Sequence, residues 1–116
     1  MNAVEEAILV LMTAGDGEEA GRLAEMLVEK RLAACVQLLP EIQSVYRWQG
    51  KIEHQQEVLL IAKTVRSKFE ELETEVRALH SYETPEIVAI ALDDGSRPYL
   101  EWLAVSVADE TKAGGS

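Results

Sequence analysis

Apolar positions along the chain follow two different periods, which separate predicted strands from predicted helices. Residues 8–13 form a short continuous apolar run, which is typical of a strand covered on both faces. Over residues 17–30 the apolar side chains recur at spacings of three and four and predict an amphipathic helix; they are Ala20, Leu23, Ala24, Leu27 and Val28. Asp16 is the predicted N-cap of this helix, and Glu19 stands where a capping-box partner is expected.

Residues 32–65 follow a strand pattern and predict a long β-hairpin. Pro40 cannot donate a ladder hydrogen bond, so we expect a bulge or a bend on an edge strand at this point. The Gln-Gly pair at 49–50 suits a tight turn, which would place Trp48 opposite Lys51 and allow a cation–π contact between them. Such a long hairpin would expose its edges unless another subunit covers it, so it predicts an oligomer.

The C-terminal half of the chain predicts a helix, a strand and a short final helix. Ser67 and Glu70 have capping-box spacing, and the apolar positions that follow continue this helix to about residue 80. Residues 86–92 are typical of a buried strand. Ser96 is the predicted N-cap of the last helix, with Pro98 in its first turn.

The predicted elements occur in the order strand, helix, strand, strand, helix, strand, helix. With right-handed crossovers this order predicts an α+β, ferredoxin-like βαββαβ sandwich with a long central hairpin and a short C-terminal helix. One antiparallel sheet would carry the two main helices on one face, and its other face would lack a cover, which again indicates an oligomer. We expect one domain over residues 1–107 and a flexible tail over 108–116.

Composition and charge exclude several classes of partner. The 116 residues include 11 Lys and Arg against 21 Asp and Glu, a net charge of −10. This balance opposes binding to nucleic acid and to anionic membrane surfaces, which both require basic patches. The single cysteine, Cys35, rules out an internal disulfide and favours a reducing compartment. The chain lacks both a basic signal-like start and an apolar run of ~20 residues, so we expect a cytoplasmic protein.

Few residues are candidates for chemistry. Cys35 lies in an apolar predicted strand, where it is either a small packing residue or a metal ligand. His80 ends a predicted helix, where an imidazolium would interact favourably with the helix dipole. One cysteine and two histidines without close spacing do not match a structural zinc site. His80, Glu83 and Glu86 could form an acid/base group, but the sequence shows no positioned nucleophile, so we do not expect an enzyme.

Four segments together carry a family resemblance. They are residues 31–36 (RLAACV), 46–53 (YRWQGKIE), 80–87 (HSYETPEI) and 99–103 (YLEWL). In this order, over about residues 7–107, the chain closely resembles the CutA family of divalent-cation tolerance proteins. Ser81 departs from the proline that the family usually has after the motif histidine, and Met12 stands where some members carry a second cysteine.

The resemblance implies a homotrimer of ferredoxin-like subunits that is reminiscent of the PII signalling proteins. It also implies an association with copper or another divalent cation, bound weakly, with Cys35 and His80 as candidate ligands and no organic cofactor. Met12 could add a soft thioether, which suits Cu(I). The alternative is a PII-like regulatory module that binds a small ligand in a pocket between subunits. The residues expected to line that pocket are Trp48, Lys63, Tyr82 and Glu83.

Overall fold

The structure is a computed structural model that describes residues 5–109. Its elements in chain order are β1 (Ala7–Ala14), α1 (Gly17–Glu29), β2 (Cys35–Trp48), β3 (Lys51–Val65), a 3-10 turn (Arg66–Lys68), α2 (Phe69–Leu79), β4 (Ile87–Ala91) and α3 (Arg97–Ser106). This is the predicted order. From residue 110 onward, the expected tail lies outside the described residues. None of the helices within residues 5–109 is long and apolar enough to span a membrane.

The four strands form one antiparallel sheet in the order β2-β3-β1-β4. This topology confirms the predicted ferredoxin-like α+β sandwich. Because side chains alternate along a strand, every second residue of β1 points to the side covered by α1 and α2. The core on that side includes Ile8, Val10, Met12, Leu23, Leu27, Leu60, Leu72 and Val76, all of them fully buried.

The other side of the sheet is apolar and largely uncovered by the same subunit. It carries the alternate strand residues, which we call the open face: Leu9, Leu11, Leu59, Ile61, Val88 and Ile90. Val88 is 50% exposed and Ile90 48% exposed. Helix α3 covers only one end of this side, where Leu103 and Val107 pack against Val65. The expectation of a sheet face without a full cover is therefore confirmed within one subunit.

The long hairpin forms with the predicted turn and bulge. The pairing of β2 with β3 shifts register between Leu39 and Ile42, and Glu41 takes a positive φ of 64°. Trp48 pairs with Lys51, as the turn chemistry predicts. The expected cation–π contact between these two is wrong for this subunit, because Trp48 is 53% exposed and the described cation–π pair joins Lys63 to another ring.

The helix starts agree with the sequence only in part. Asp16 caps α1 as predicted, since its Oδ1 accepts the backbone N–H of Glu19 at 2.8 Å. The predicted capping box at Ser67 is wrong, because the Ser67 hydroxyl donates to Glu5 Oε2 at 2.8 Å and the 3-10 turn precedes α2. A capping serine would accept a backbone N–H through its oxygen, but neither the 3-10 turn nor α2 begins with a side-chain cap bond. Ser96 makes no side-chain cap bond, although Pro98 does lie in the first turn of α3.

Candidate functional site

A cavity lies where the loop after α2 folds over the ends of β1 and the hairpin. Its volume is about 430 Å³. The lining residues are Thr13, Tyr46, Trp48, Gln55, Glu57, Tyr82, Glu83, Thr84 and Glu86. Three of the four residues predicted for a ligand pocket, Trp48, Tyr82 and Glu83, are thus brought together within one subunit.

Lys63, the fourth predicted pocket residue, does not line this cavity. It pairs with Leu9 and Cys35, whereas the cavity residue Thr13 pairs with Leu59. Four residues along a strand correspond to about 13 Å. The Lys63 ammonium instead lies 5.5 Å from the ring centroid of Tyr99 on α3. Strand register separates Lys63 from the loop within one subunit, so its place in a pocket between subunits stays a prediction.

His80 anchors the loop to the end of β1. Its side chain is buried, and its Nε2 lies 2.7 Å from the carbonyl oxygen of Thr13. A carbonyl oxygen only accepts, so Nε2 carries the hydrogen and donates it. Nδ1 accepts the backbone N–H of Tyr82 at 3.0 Å. Both ring nitrogens of the neutral imidazole are used by the protein, which leaves neither free as a base or as a metal ligand.

Glu19 ties α1 to the same loop. Its carboxylate accepts the backbone N–H of Ser81 at 2.7 Å, the Ser81 hydroxyl at 3.0 Å and the Gly15 N–H at 3.3 Å. Burial alone would raise the pKa of Glu19, but the hydrogen bonds from Ser81 and Gly15 hold this pKa below its usual range. The sequence assigned Glu19 to a helix cap and missed this role. A proline after the histidine would supply neither the N–H nor the hydroxyl that Ser81 supplies.

This carboxylate predicts a pH-dependent contribution to stability. Because its pKa in the folded chain lies below the ordinary 4.5, Glu19 stabilises the fold above about pH 4.5 and loses this effect as pH falls through the lowered value. Glu19→Gln should lower the free energy of unfolding at pH 7 by about 1–3 kcal/mol, with a smaller difference at pH 3. Urea unfolding at both pH values measures this. Glu18→Gln, an exposed neighbour, is the control, and equal losses for both variants would contradict the prediction.

A second hydrogen-bond network forms one wall of the cavity. Tyr82 Oη donates to Glu57 Oε2 at 2.8 Å and accepts from Gln55 Nε2 at 2.8 Å. Tyr46 Oη donates to Gln55 Oε1 at 2.6 Å, and the Ser44 hydroxyl donates to Glu57 Oε1. Burial, assisted by Glu57, raises the pKa of Tyr82 to about 12, so its phenol stays protonated and remains a donor. The network fixes the ring orientations before any ligand arrives.

The sequence analysis did not select Tyr46, Gln55 or Glu57 as site residues. The signal was present in the alternation of the hairpin, since Tyr46 is two residues from Trp48 and thus on the same side of its strand. The register places Gln55 opposite Ser44 and Glu57 opposite Ile42, on that same side. What local pattern could not show is that residues 80–86 fold back over this side.

The structure does not bring the three predicted metal ligands together. Met12 is fully buried among core residues on the helix-covered side, whereas Cys35 begins β2 and is half-buried. Cys35 is in register with Leu9 of β1 through Lys63, whereas His80 is hydrogen-bonded to Thr13 of β1. Leu9 and Thr13 are about 13 Å apart along the strand. Within residues 5–109 no group of three or more His, Cys, Asp or Glu side chains is arranged to hold a metal. The residues of one subunit therefore do not fit a shared copper ion.

The protein is a ferredoxin-like protein, as its four-stranded antiparallel sheet with a projecting hairpin shows. Its candidate binding site is the cavity covered by the loop after α2. A model of the CutA1 divalent ion tolerance protein family matches residues 8–106. The chain therefore belongs to this family, and is a divalent-cation tolerance protein of the CutA type.

Similar proteins come from distant organisms. The divalent-cation tolerance protein CutA of Thermus thermophilus is 48% identical over 95 residues, which are 82% of this chain and 92% of that protein. Human protein CutA is 45% identical over 92 residues, but these are 79% of this chain and only 51% of the human protein. A solved structure described as the periplasmic divalent cation tolerance protein CutA from Archaeoglobus fulgidus has a TM-score of 0.86 and 44% identity, and the match covers 88% of this chain and 99% of that one.

Proposed function

We propose that this chain works as a homotrimer in divalent-cation tolerance, and that it acts by binding rather than by catalysis. The observation that carries this proposal is the open face, which is apolar, flanked by α3 and only half-covered at Val88 and Ile90. Monomeric proteins rarely leave a contiguous apolar patch of this kind in water. Second and third copies that cover it would also shield the long hairpin edge. Sedimentation equilibrium at micromolar concentration tests the proposal, and a monomeric mass would contradict it.

We place the metal contact of the protein at Cys35. This is the only thiol of the chain, and thiolate is the ligand that Cu(I) prefers. Cys35 is half-buried on the same side of the sheet as the open face, so a neighbouring subunit could complete its coordination. A single thiolate per subunit would bind the ion only weakly. Because metal capture releases the thiol proton, affinity should fall as the solution becomes more acidic.

Copper titration under reducing conditions separates the three predicted ligands. Cys35→Ser should abolish Cu(I) binding, while Met12→Leu and His80→Gln should bind Cu(I) as the wild type does, because Met12 is enclosed in the core and both His80 nitrogens are bonded. The assembly state of each variant is checked in the same samples. Equal Cu(I) binding by the intact Cys35→Ser trimer would remove the proposed site.

We propose the cytosol as the setting, because an unpaired cysteine persists as a thiol most readily in a reducing compartment. The Archaeoglobus protein is described as periplasmic, so the setting needs a direct test. Fractionation of cells that express the full chain, with marker proteins for each compartment, would decide between the two. Recovery with periplasmic markers would contradict the proposal.

A second candidate function is a regulatory module that binds a small ligand. The specific observation in its favour is the cavity of about 430 Å³ with its preformed network of tyrosines and Glu57. Small-molecule sites are usually concave, largely preformed and of about 300–1,000 Å³. Binding of an organic compound by the metal-free protein would support this function, whether or not Cys35 is intact.

A further inference from the structure

We propose that the cavity binds a small organic cation, an alkylammonium ion whose charged head lies against the rings of Trp48 and Tyr46 and whose charge is balanced by glutamates. This rests on the small-ligand function proposed above and specifies its ligand class. The cavity has the two features that such a cation requires, exposed aromatic faces and unpaired acceptors.

The first argument is the hydrogen-bonding character of the wall. The phenol protons of Tyr46 and Tyr82 are donated to Gln55 and Glu57, and one amide hydrogen of Gln55 goes to Tyr82. The hydroxyl of Ser44 is donated to Glu57 as well. These donors are therefore occupied, and the wall also presents carboxylate lone pairs and ring faces beside the Trp48 indole N–H and the hydroxyls of Thr13 and Thr84. A ligand that brings its own N–H groups or a diffuse positive charge matches this surface.

The second argument is charge. Glu57, Glu83 and Glu86 line the cavity, and none of its described lining residues is Lys or Arg. A phosphate or carboxylate ligand would meet three acidic side chains without a counter-charge, at a cost that rises as water is displaced. The acidic lining thus argues against a nucleotide and for a cation.

The third argument separates an organic cation from a metal ion. The described glutamates of the cavity are not arranged to hold a metal, and the two oxygens of Glu57 are already bonded to Tyr82 and Ser44. A divalent cation needs several oxygen ligands at close range. An alkylammonium ion tolerates charges spread over several ångströms while its head lies against the rings of Trp48 and Tyr46, and it gains from burying its methylene groups in the rest of the cavity.

Binding is tested with three probes of similar size, n-butylammonium, n-butanol and butyrate, titrated into the metal-free full chain by calorimetry. We expect n-butylammonium to bind and the other two to bind at least about tenfold more weakly. Trp48→Ala should weaken n-butylammonium binding by about tenfold. Trp102→Ala is the matched control, because Trp102 is 47% exposed against 53% for Trp48 and lies on α3, outside the cavity. Glu83→Gln with Glu86→Gln should weaken binding in the same direction without touching the rings.

The outcomes distinguish this proposal from the function on which it rests. Binding of butyrate or butanol as tightly as n-butylammonium, lost in Trp48→Ala, would overturn the ligand class while the small-ligand function stands. A third outcome is that none of the three probes binds and that Trp48 fluorescence in the Trp102→Ala protein is shielded from acrylamide. This result would show that another subunit fills the cavity, and it would overturn both the cation proposal and the small-ligand function. Equal n-butylammonium binding by Trp48→Ala and Trp102→Ala would place the cation elsewhere and overturn the proposed site.

Discussion

Leu11→Asp is expected to convert the assembled protein into monomers. Leu11 lies at the middle of the open face, between Ile61 on β3 and Val88 on β4. In a separate subunit the new carboxylate can reach water, but in the proposed trimer it would be buried without a partner at a cost of several kcal/mol for each copy. Since each ~1.4 kcal/mol changes an equilibrium constant tenfold, assembly should weaken by at least about a hundredfold. Sedimentation velocity across a concentration series measures the change.

The control for this variant is Val28→Asp. Val28 lies on α1, on the helix-covered side of the sheet, and is 46% exposed, close to the 50% of Val88. The same chemical change should leave assembly intact there. If Leu11→Asp does not fold alone, Val88→Asp at the rim of the open face provides a milder test. Wild-type mass for both open-face variants would show that this face is not the subunit interface.

Met12→Ala is expected to lower the free energy of unfolding by about 2–5 kcal/mol. Met12 is fully buried and lies between Leu60 on β3 and Ile87 on β4. Truncation removes a buried methylene group, the thioether sulfur and the terminal methyl group, and leaves a cavity that the close-packed sheet and helices cannot refill. Denaturant unfolding at a fixed protein concentration measures the loss, because assembly contributes to apparent stability.

Met12→Leu separates packing from metal ligation at the same position. Leucine nearly conserves the volume, so the loss should stay below about 1.5 kcal/mol, although the thioether is gone. A packing role predicts a large effect for alanine, a small one for leucine and unchanged copper binding for both. If the stable Met12→Leu protein lost Cu(I) binding, Met12 would have to contact the metal. That result would contradict a pure packing role for this residue.

Particular residues show which structural features the sequence pattern predicted and which it did not. The alternation around Gln49-Gly50 predicted the pairing of Trp48 with Lys51, because a two-residue turn determines register. Pro40 predicted the bulge, because proline cannot join a ladder. The capping box predicted at Ser67 was wrong, because capping-box spacing is a local signal. The glutamate that accepts the Ser67 hydroxyl is 62 positions away.

The sequence by itself determined the element order, the fold class, the family and which residues of the hairpin share one face. These features follow from periodicity, turn chemistry and motif spacing, which are local properties of the chain. Only the tertiary structure decided which side chains meet. The loop after α2 brings Ser81 to Glu19, 62 positions away, and Tyr82 to Glu57. Strand register leaves Lys63 outside the cavity and separates Cys35 from His80. The physical reason is that long-range contacts depend on strand order, register and the path of the loop. A hydrophobic period of two or 3.6 residues contains no information about strand order, register or loop path.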